Sequence, residues 1–188
     1  MPPFRPAFLR LAEASPPWAL ALVVISVALL AWSAQITIPM QPVPITLQSY
    51  VVLTLAALMG WQLSSLVAVA YVGLGVAGVP VFANGASGWQ VLSGASGGFI
   101  AGFVVVAVGV GAAQQYWAQL RPLQLFAAIA FGHLALMTMG AGWIATKSGI
   151  VPAFENAFLP FILGAVLKSI AALATVIVAE RIAGTPRR

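Results

Sequence analysis

Apolar residues in this chain fall in long unbroken blocks and do not alternate with polar ones. A block of about 20 apolar residues is long enough to cross a bilayer as a helix. The first runs from Trp18 to about Ala34 and begins after Pro16-Pro17, where proline's fixed φ suits a helix start. Residues 35–46, QITIPMQPVPIT, hold three prolines; no continuous helix fits them, and they predict an uncharged loop. Leu47 to Pro80 is apolar and uncharged throughout. As one helix it would measure about 50 Å, against a hydrocarbon core of about 30 Å. It is predicted to divide near Met59-Gly60-Trp61-Gln62 into a short helix over 47–59 and a second over 62–78. A loop over 79–96 precedes a fourth helix from Gly97 to about Trp117, and 114–121 form a polar turn. A fifth helix runs from Pro122 to about Trp143, residues 145–157 form a loop, and a sixth helix covers Phe158 to Ala179.

Composition fixes the solvent. The 188 residues are 62% hydrophobic and 6% charged, with a mean hydropathy of +1.04, whereas a soluble domain is about 25% charged. The expected fold is an all-α integral membrane protein of six transmembrane helices in the lipid bilayer. It divides into a leader over 1–17, a membrane domain over 18–180 and a basic tail over 181–188. The net charge of +5 does not mark a nucleic-acid binder, because Arg5, Arg10, Arg121, Arg181, Arg187 and Arg188 flank the hydrophobic runs. Six helices put both termini on one side. With the N- and C-termini cytoplasmic, the inner segments carry these six arginines and the outer ones only Lys147, as the positive-inside rule asks. That orientation places 35–46, 79–96 and 145–157 on the outer face. The run from Trp18 to Ile38 is long for a cleaved signal peptide. There is no cysteine, and one histidine with three acids leaves little for a metal site.

The most unusual stretch is 71–98, YVGLGVAGVPVFANGASGWQVLSGASGG, dense in glycine and without charge. Irregular backbone at membrane depth is tolerated where protein buries it or where it lines a cavity, so this segment is expected to form part of one. Gly73 to Gly78 spells G-x-G-x-x-G, but a dinucleotide site needs an acid about 20 residues on, and none lies between Glu13 and Glu155. Thr146-Lys147-Ser148 resembles the end of a phosphate-binding loop, yet the required glycines would fall at Ala141 and Thr146. Gly94, Gly98 and Gly102, spaced by four, point to close helix packing. His133 has no intramembrane acid beside it in sequence and reads as a hydrogen bond between helices, with pocket lining as the alternative.

Lys168 carries the chemistry. It stands about ten residues into the sixth helix, and an intramembrane charge is costly and usually functional. Glu13, Glu155 and Glu180 all lie outside helices or at their ends. Either the amine is held neutral or its counter-ion comes from elsewhere, and a carboxylate ligand supplies one. Gln41, Thr46, Gln48, Asn84, Ser87 and Ser93 offer uncharged hydrogen-bonding groups, and Tyr71, Phe82, Trp89 and Trp143 offer apolar walls. Together they describe a small ligand with an apolar body, a neutral polar end and one carboxylate. An intramembrane enzyme would need an acid–base or nucleophile pair; a purely structural membrane protein would leave Lys168 without a partner.

Ala34-Gln35-Ile36-Thr37-Ile38-Pro39 followed by Pro42 to Gln48, then Tyr71 to Phe82, and Gly94 to Phe99, resemble the biotin-specific substrate-binding subunits (BioY family) of energy-coupling-factor transporters. Gly140 to Trp143 and Pro160 to Lys168 extend the likeness. The resemblance implies an S-component fold in the bacterial inner (plasma) membrane with an outward-facing biotin pocket. It implies no cofactor and no enzyme activity, and association with a membrane coupling subunit and two cytoplasmic ATPases. It maps Lys168 onto the biotin carboxylate and Asn84 onto the ureido end. The family's P-G-D-x-x-K pattern reads Leu163-Gly164-Ala165-Val166-Leu167-Lys168 here. Ala165 stands where the aspartate is usual, which leaves another small carboxylate-bearing vitamin as the alternative ligand. On helix 1, Ala28, Ala31 and Ala34 offer small side chains to a partner.

Overall fold

The computed structural model describes residues 15–116 and 121–183. The expectations for the leader up to residue 14, for Trp117 and the rest of 117–120, and for the last five residues of the tail lie outside the described residues. Helix α1 (Pro16–Ser33) starts with proline in its first turn. It buries Ser26, Val27 and Leu30 against α2 and turns Trp18, Ile25 and Trp32 outward. Ala34 is fully buried, Ala31 partly so and Ala28 exposed. The three alanines therefore do not form one outward surface, contrary to the sequence expectation. The proline-rich segment that follows is ordered by a short antiparallel ribbon, β1 (Thr37–Ile38) against β2 (Ile45–Thr46), with Thr37 opposite Thr46.

Helix α2 (Gln48–Val76) is divided at Gly60, whose φ of 73° and ψ of 174° belong to a region open essentially to glycine. Gln48 Nε2 donates to Tyr71 Oη at 2.6 Å. A straight helix would hold residues 23 apart in sequence about 35 Å from each other, so the two halves fold back antiparallel. The break lies inside the tetrad singled out by the sequence. Helix α4 (Gly97–Tyr116) runs against the second half: Ser64 Oγ donates to the Ala107 carbonyl at 3.0 Å, and a Cβ at Gly111 would stand 2.6 Å from Trp61 N. Helix α5 (Pro122–Ser148) closes this core, with Gly132 seated against Leu53 of α2 and Val110 of α4. Gly98 and Gly102 lie against Trp143 and Leu136 of α5, where a Cβ would come within 2.4 Å and 2.7 Å.

Three boundaries differ from expectation. Helix α5 passes Trp143 and continues to Ser148. The segment expected as a loop over 145–157 contains α6 (Ile150–Ala157), set off by Gly149 at φ 90°. Helix α7 (Phe161–Ile182) begins three residues later than expected, after a turn over 158–160. The loop over 79–96 is also structured: it holds a 3-10 turn (Ala83–Gly85) and the short helix α3 (Trp89–Ser93). Helices α1, α2, α4, α5 and α7 are long and apolar enough to cross a membrane. Segments 35–47, 77–96 and 149–160 gather at one end of the bundle, its loop end.

Candidate ligand-binding cavity

A partly open cavity of about 140 Å³ lies at the loop end between α2, α4, α5 and α7, under the segment from Phe82 to Val91. Its apolar lining includes four phenylalanines, Phe82, Phe99, Phe103 and Phe161, beside aliphatic residues such as Ile100 and Met137. The Phe99 and Phe161 rings stack at 5.4 Å. Thr46, Gln48, Ser49, Asn84, Ser96, His133 and Lys168 bring polar atoms to it. Among the described residues no group of His, Cys, Asp or Glu has the makings of a metal site.

Lys168 reaches the cavity from α7, with Ala165 one turn earlier also in the wall. Its Nζ donates to the Thr46 carbonyl at 2.6 Å and to Ser49 Oγ at 3.2 Å. An ammonium has three N–H donors, and these two acceptors are neutral. Burying a charge without an ionic partner is costly, so the arrangement favours an anion at this spot. The second-strand position of Thr46 matters here, because β2 aims its carbonyl across to α7 while the α2 start presents Ser49 beside it.

Gln48 lines the cavity, accepts from Thr46 Oγ1 at 3.0 Å and donates to Tyr71 Oη. Tyr71 is not in the cavity wall. It stands fully buried behind Gln48, donates to the Val81 carbonyl at 2.9 Å, and meets the Phe82 ring edge-on at 5.5 Å. Phe82 is in the wall, its ring laid over Gly75, where a Cβ would come within 2.1 Å of Cζ. Asn84 overhangs the cavity at its exposed end, in the left-handed region at φ 57° that asparagine tolerates. Its Oδ1 accepts from Thr37 Oγ1 at 3.2 Å.

Besides Tyr71, three expected site residues are elsewhere. Ser87 is outside the wall, and its carbonyl accepts from Gln90 Nε2 at 2.8 Å. Trp89 is 66% exposed and points away from the cavity. Trp143 is a fastening: its Nε1 donates to the Gly94 carbonyl at 2.7 Å, and Lys147 Nζ, which also donates to the Ser93 carbonyl, sits 5.1 Å from its ring. Gln41 and Ser93 likewise lie outside the wall. The covering segment is tied to the exit of α1 by Gln35, whose Nε2 donates to the Phe82 carbonyl at 3.1 Å and whose Oε1 accepts from Gly85 N at 2.9 Å. Sequence reasoning missed Ser49, Ser96, Phe99, Phe103 and Phe161. Phe99 and Phe103 are spaced by four on α4, the one local hint that they share a face.

The sequence matches the profile of the BioY family over residues 10–185. It is 34% identical to the "Probable biotin transporter BioY" of Pyrococcus horikoshii over 87% of this chain and 95% of that one. It is 28% identical to the "Biotin transporter BioY2" of Lactococcus lactis subsp. cremoris over 81% and 85%. Its fold superposes with a TM-score of 0.78, at 22% identity, on a crystal structure of the S-component for biotin from an ECF-type ABC transporter, covering 87% of this chain and 90% of that one. With a profile match across nearly its whole length and relatives aligned over most of theirs, this chain belongs to the BioY family.

Proposed function

We propose that this protein is the biotin-binding subunit of a membrane uptake system, with the ligand's carboxylate held by Lys168. The observation that carries the reading is the Lys168 ammonium, directed to the cavity and met only by the Thr46 carbonyl and the Ser49 hydroxyl. Its remaining N–H points the chemistry at an anionic group. The fused rings of biotin, apolar on both faces, suit the space between Phe99, Phe103 and Phe82. Gln48 supplies a neutral polar contact for the ureido group, and Asn84 a second polar group at the exposed end of the cavity. The protein catalyses no covalent step, and the names of its relatives support a transport role.

The fold-back at Gly60 supports six crossings, since each half of α2 spans roughly one leaflet or more at about 1.5 Å per residue. Six crossings put both termini on one side, and the arginines at helix ends on that side, Arg121 and Arg181, make it the cytoplasmic one. The loop end and its cavity then face outward, in the inner membrane. A coupling subunit and two ATPases complete the transporter, as the S-component neighbour suggests. The competing reading is another small carboxylate-bearing vitamin, which the apolar Ala165 beside Lys168 leaves open.

Equilibrium binding of labelled biotin to purified protein, with unlabelled vitamins as competitors, tests both readings. Saturable binding that biotin competes best, and that Lys168→Ala abolishes in protein that remains folded, is the expected result. Undiminished binding by Lys168→Ala would sink the lysine assignment, and preferential competition by another acid would replace biotin.

A further inference from the structure

His133 lies on α5 about 15 residues from its loop end, roughly 22 Å along the helix. Its side chain forms part of the cavity wall at the end opposite exposed Asn84. The ring is 3% exposed, and its two nitrogens differ. Nδ1 is 2.9 Å from Ser169 Oγ, which is also 2.8 Å from the Ala165 carbonyl. Nε2 is buried without any hydrogen-bond partner.

A serine hydroxyl has one proton. A carbonyl can only accept, so the contact with Ala165 commits that proton to it. Ser169 Oγ must then accept from His133, so the neutral ring carries its hydrogen on Nδ1. Nε2 is left as a bare lone pair on a ring that forms part of the cavity wall. A buried acceptor with no partner is costly, and native proteins rarely keep one without use. Among the described residues no donor is bonded to it. On α7, Lys168 gives two of its three N–H groups to Thr46 and Ser49 and keeps the third for the ligand's anion; on α2, Tyr71 is committed to Val81; and the α4 part of the wall, Phe99, Ile100 and Phe103, is apolar.

We infer that His133 is a specificity-determining contact whose Nε2 accepts a hydrogen bond from an N–H or O–H donor on the ligand. This rests on the ligand-binding reading of the cavity above and adds a second polar anchor to Lys168. The site then reads two features of one molecule: an anion at Lys168 and a donor at His133. Ureido or amide N–H groups meet the second requirement, and a ligand with only acceptors at that end leaves both itself and Nε2 unsatisfied. Ser169 is a positioning residue, since it holds the ring and the tautomer without touching the ligand.

The test is biotin affinity of purified His133→Phe and His133→Gln, read beside unmodified protein and Lys168→Ala. His133→Phe keeps the ring volume and removes the acceptor, while Ser169 keeps its bond to Ala165. It is expected to weaken biotin about tenfold or more without lowering the unfolding midpoint of the ligand-free protein. His133→Gln, which can offer a carbonyl near the Nε2 position, is expected to recover part of the loss. In protein with 15N-labelled histidine, saturating biotin is expected to shift the unprotonated ring nitrogen. Unchanged affinity in both folded variants, or a ring nitrogen that does not move at saturation, overturns the inference. If biotin still binds unmodified protein and Lys168→Ala still loses it, the failure is confined to His133. Absence of biotin binding by unmodified protein overturns both readings.

Discussion

Tyr71→Phe removes one oxygen from a fully buried site and nothing else. That oxygen accepts from Gln48 Nε2 at 2.6 Å and donates to the Val81 carbonyl at 2.9 Å. Each such bond contributes about 0.5–1.5 kcal/mol net, and each buried group left unpaired costs about 1–3 kcal/mol. Some of the stranded groups can reorient, so the summed loss is expected at about 2–4 kcal/mol. Gln48→Leu removes one of the two Tyr71 bonds and the bond from Thr46 Oγ1 but leaves Tyr71 bonded to Val81, so it should cost about 1–2 kcal/mol. The double variant should then be less destabilised than the sum of the singles by about 1 kcal/mol. Reversible unfolding of purified protein in mixed micelles, run as a double-mutant cycle, measures this coupling. Tyr71→Phe within about 0.5 kcal/mol of the unmodified protein, or strictly additive singles, would refute the fold-back of α2 that brings these residues together. Because Tyr71 is behind the wall and not in it, its variant should lose far less biotin affinity than Lys168→Ala.

Gly60→Ala forces a Cβ into a backbone region that only glycine occupies readily, with an expected cost of about 1–3 kcal/mol in the same unfolding assay. Gly140→Ala would place its Cβ 2.2 Å from Phe99 Cζ. The ring must shift toward the cavity, so biotin binding should weaken alongside an overpacking cost of about 1–3 kcal/mol. Trp89→Ala should leave biotin affinity within about twofold of normal, since the ring is outside the wall; a loss comparable with that of Lys168→Ala would show that the covering segment closes differently.

Much of this architecture is legible in the sequence because the bilayer is an exacting solvent. Length against bilayer thickness forced a break in 47–80, and glycine beside a polar residue at Gly60-Trp61-Gln62 marked it. Lys168 stood out for the same reason: a charge at that depth needs an explanation. The end of α5 was misread because Thr146, Lys147 and Ser148 look like a solvated turn. Thr146 and Ser148 instead return their hydroxyls to the Trp143 and Ile144 carbonyls, satisfying themselves inside the helix. Helix α6 is only eight residues long, and Pro152 and Glu155 within it, with Lys147 just before, read as loop residues. Loop aromatics were assigned to the site by composition, and composition does not tell which way a loop side chain faces. So Phe82 faces the cavity, Trp89 faces away and Trp143 serves as a hydrogen-bond donor to backbone. Phe99 and Phe103 were hidden for the opposite reason: on a helix apolar all round, no stripe distinguishes the cavity side.

The segment covering the cavity has a thermodynamic consequence of its own. Gly78, Asn84, Gly85 and Gly88 all adopt positive φ, and Gly88 N reaches back to the Gly75 carbonyl at 2.7 Å while Gln35 holds both Phe82 and Gly85. Fixing a residue's backbone costs on the order of 1–2 kcal/mol in conformational entropy. Here that cost for the cover is met when the chain folds, by bonds the protein makes to itself. Ligand capture is therefore spared it, and tight binding is open to a molecule of vitamin size whose own contacts could not order a dozen residues as well as fill the site.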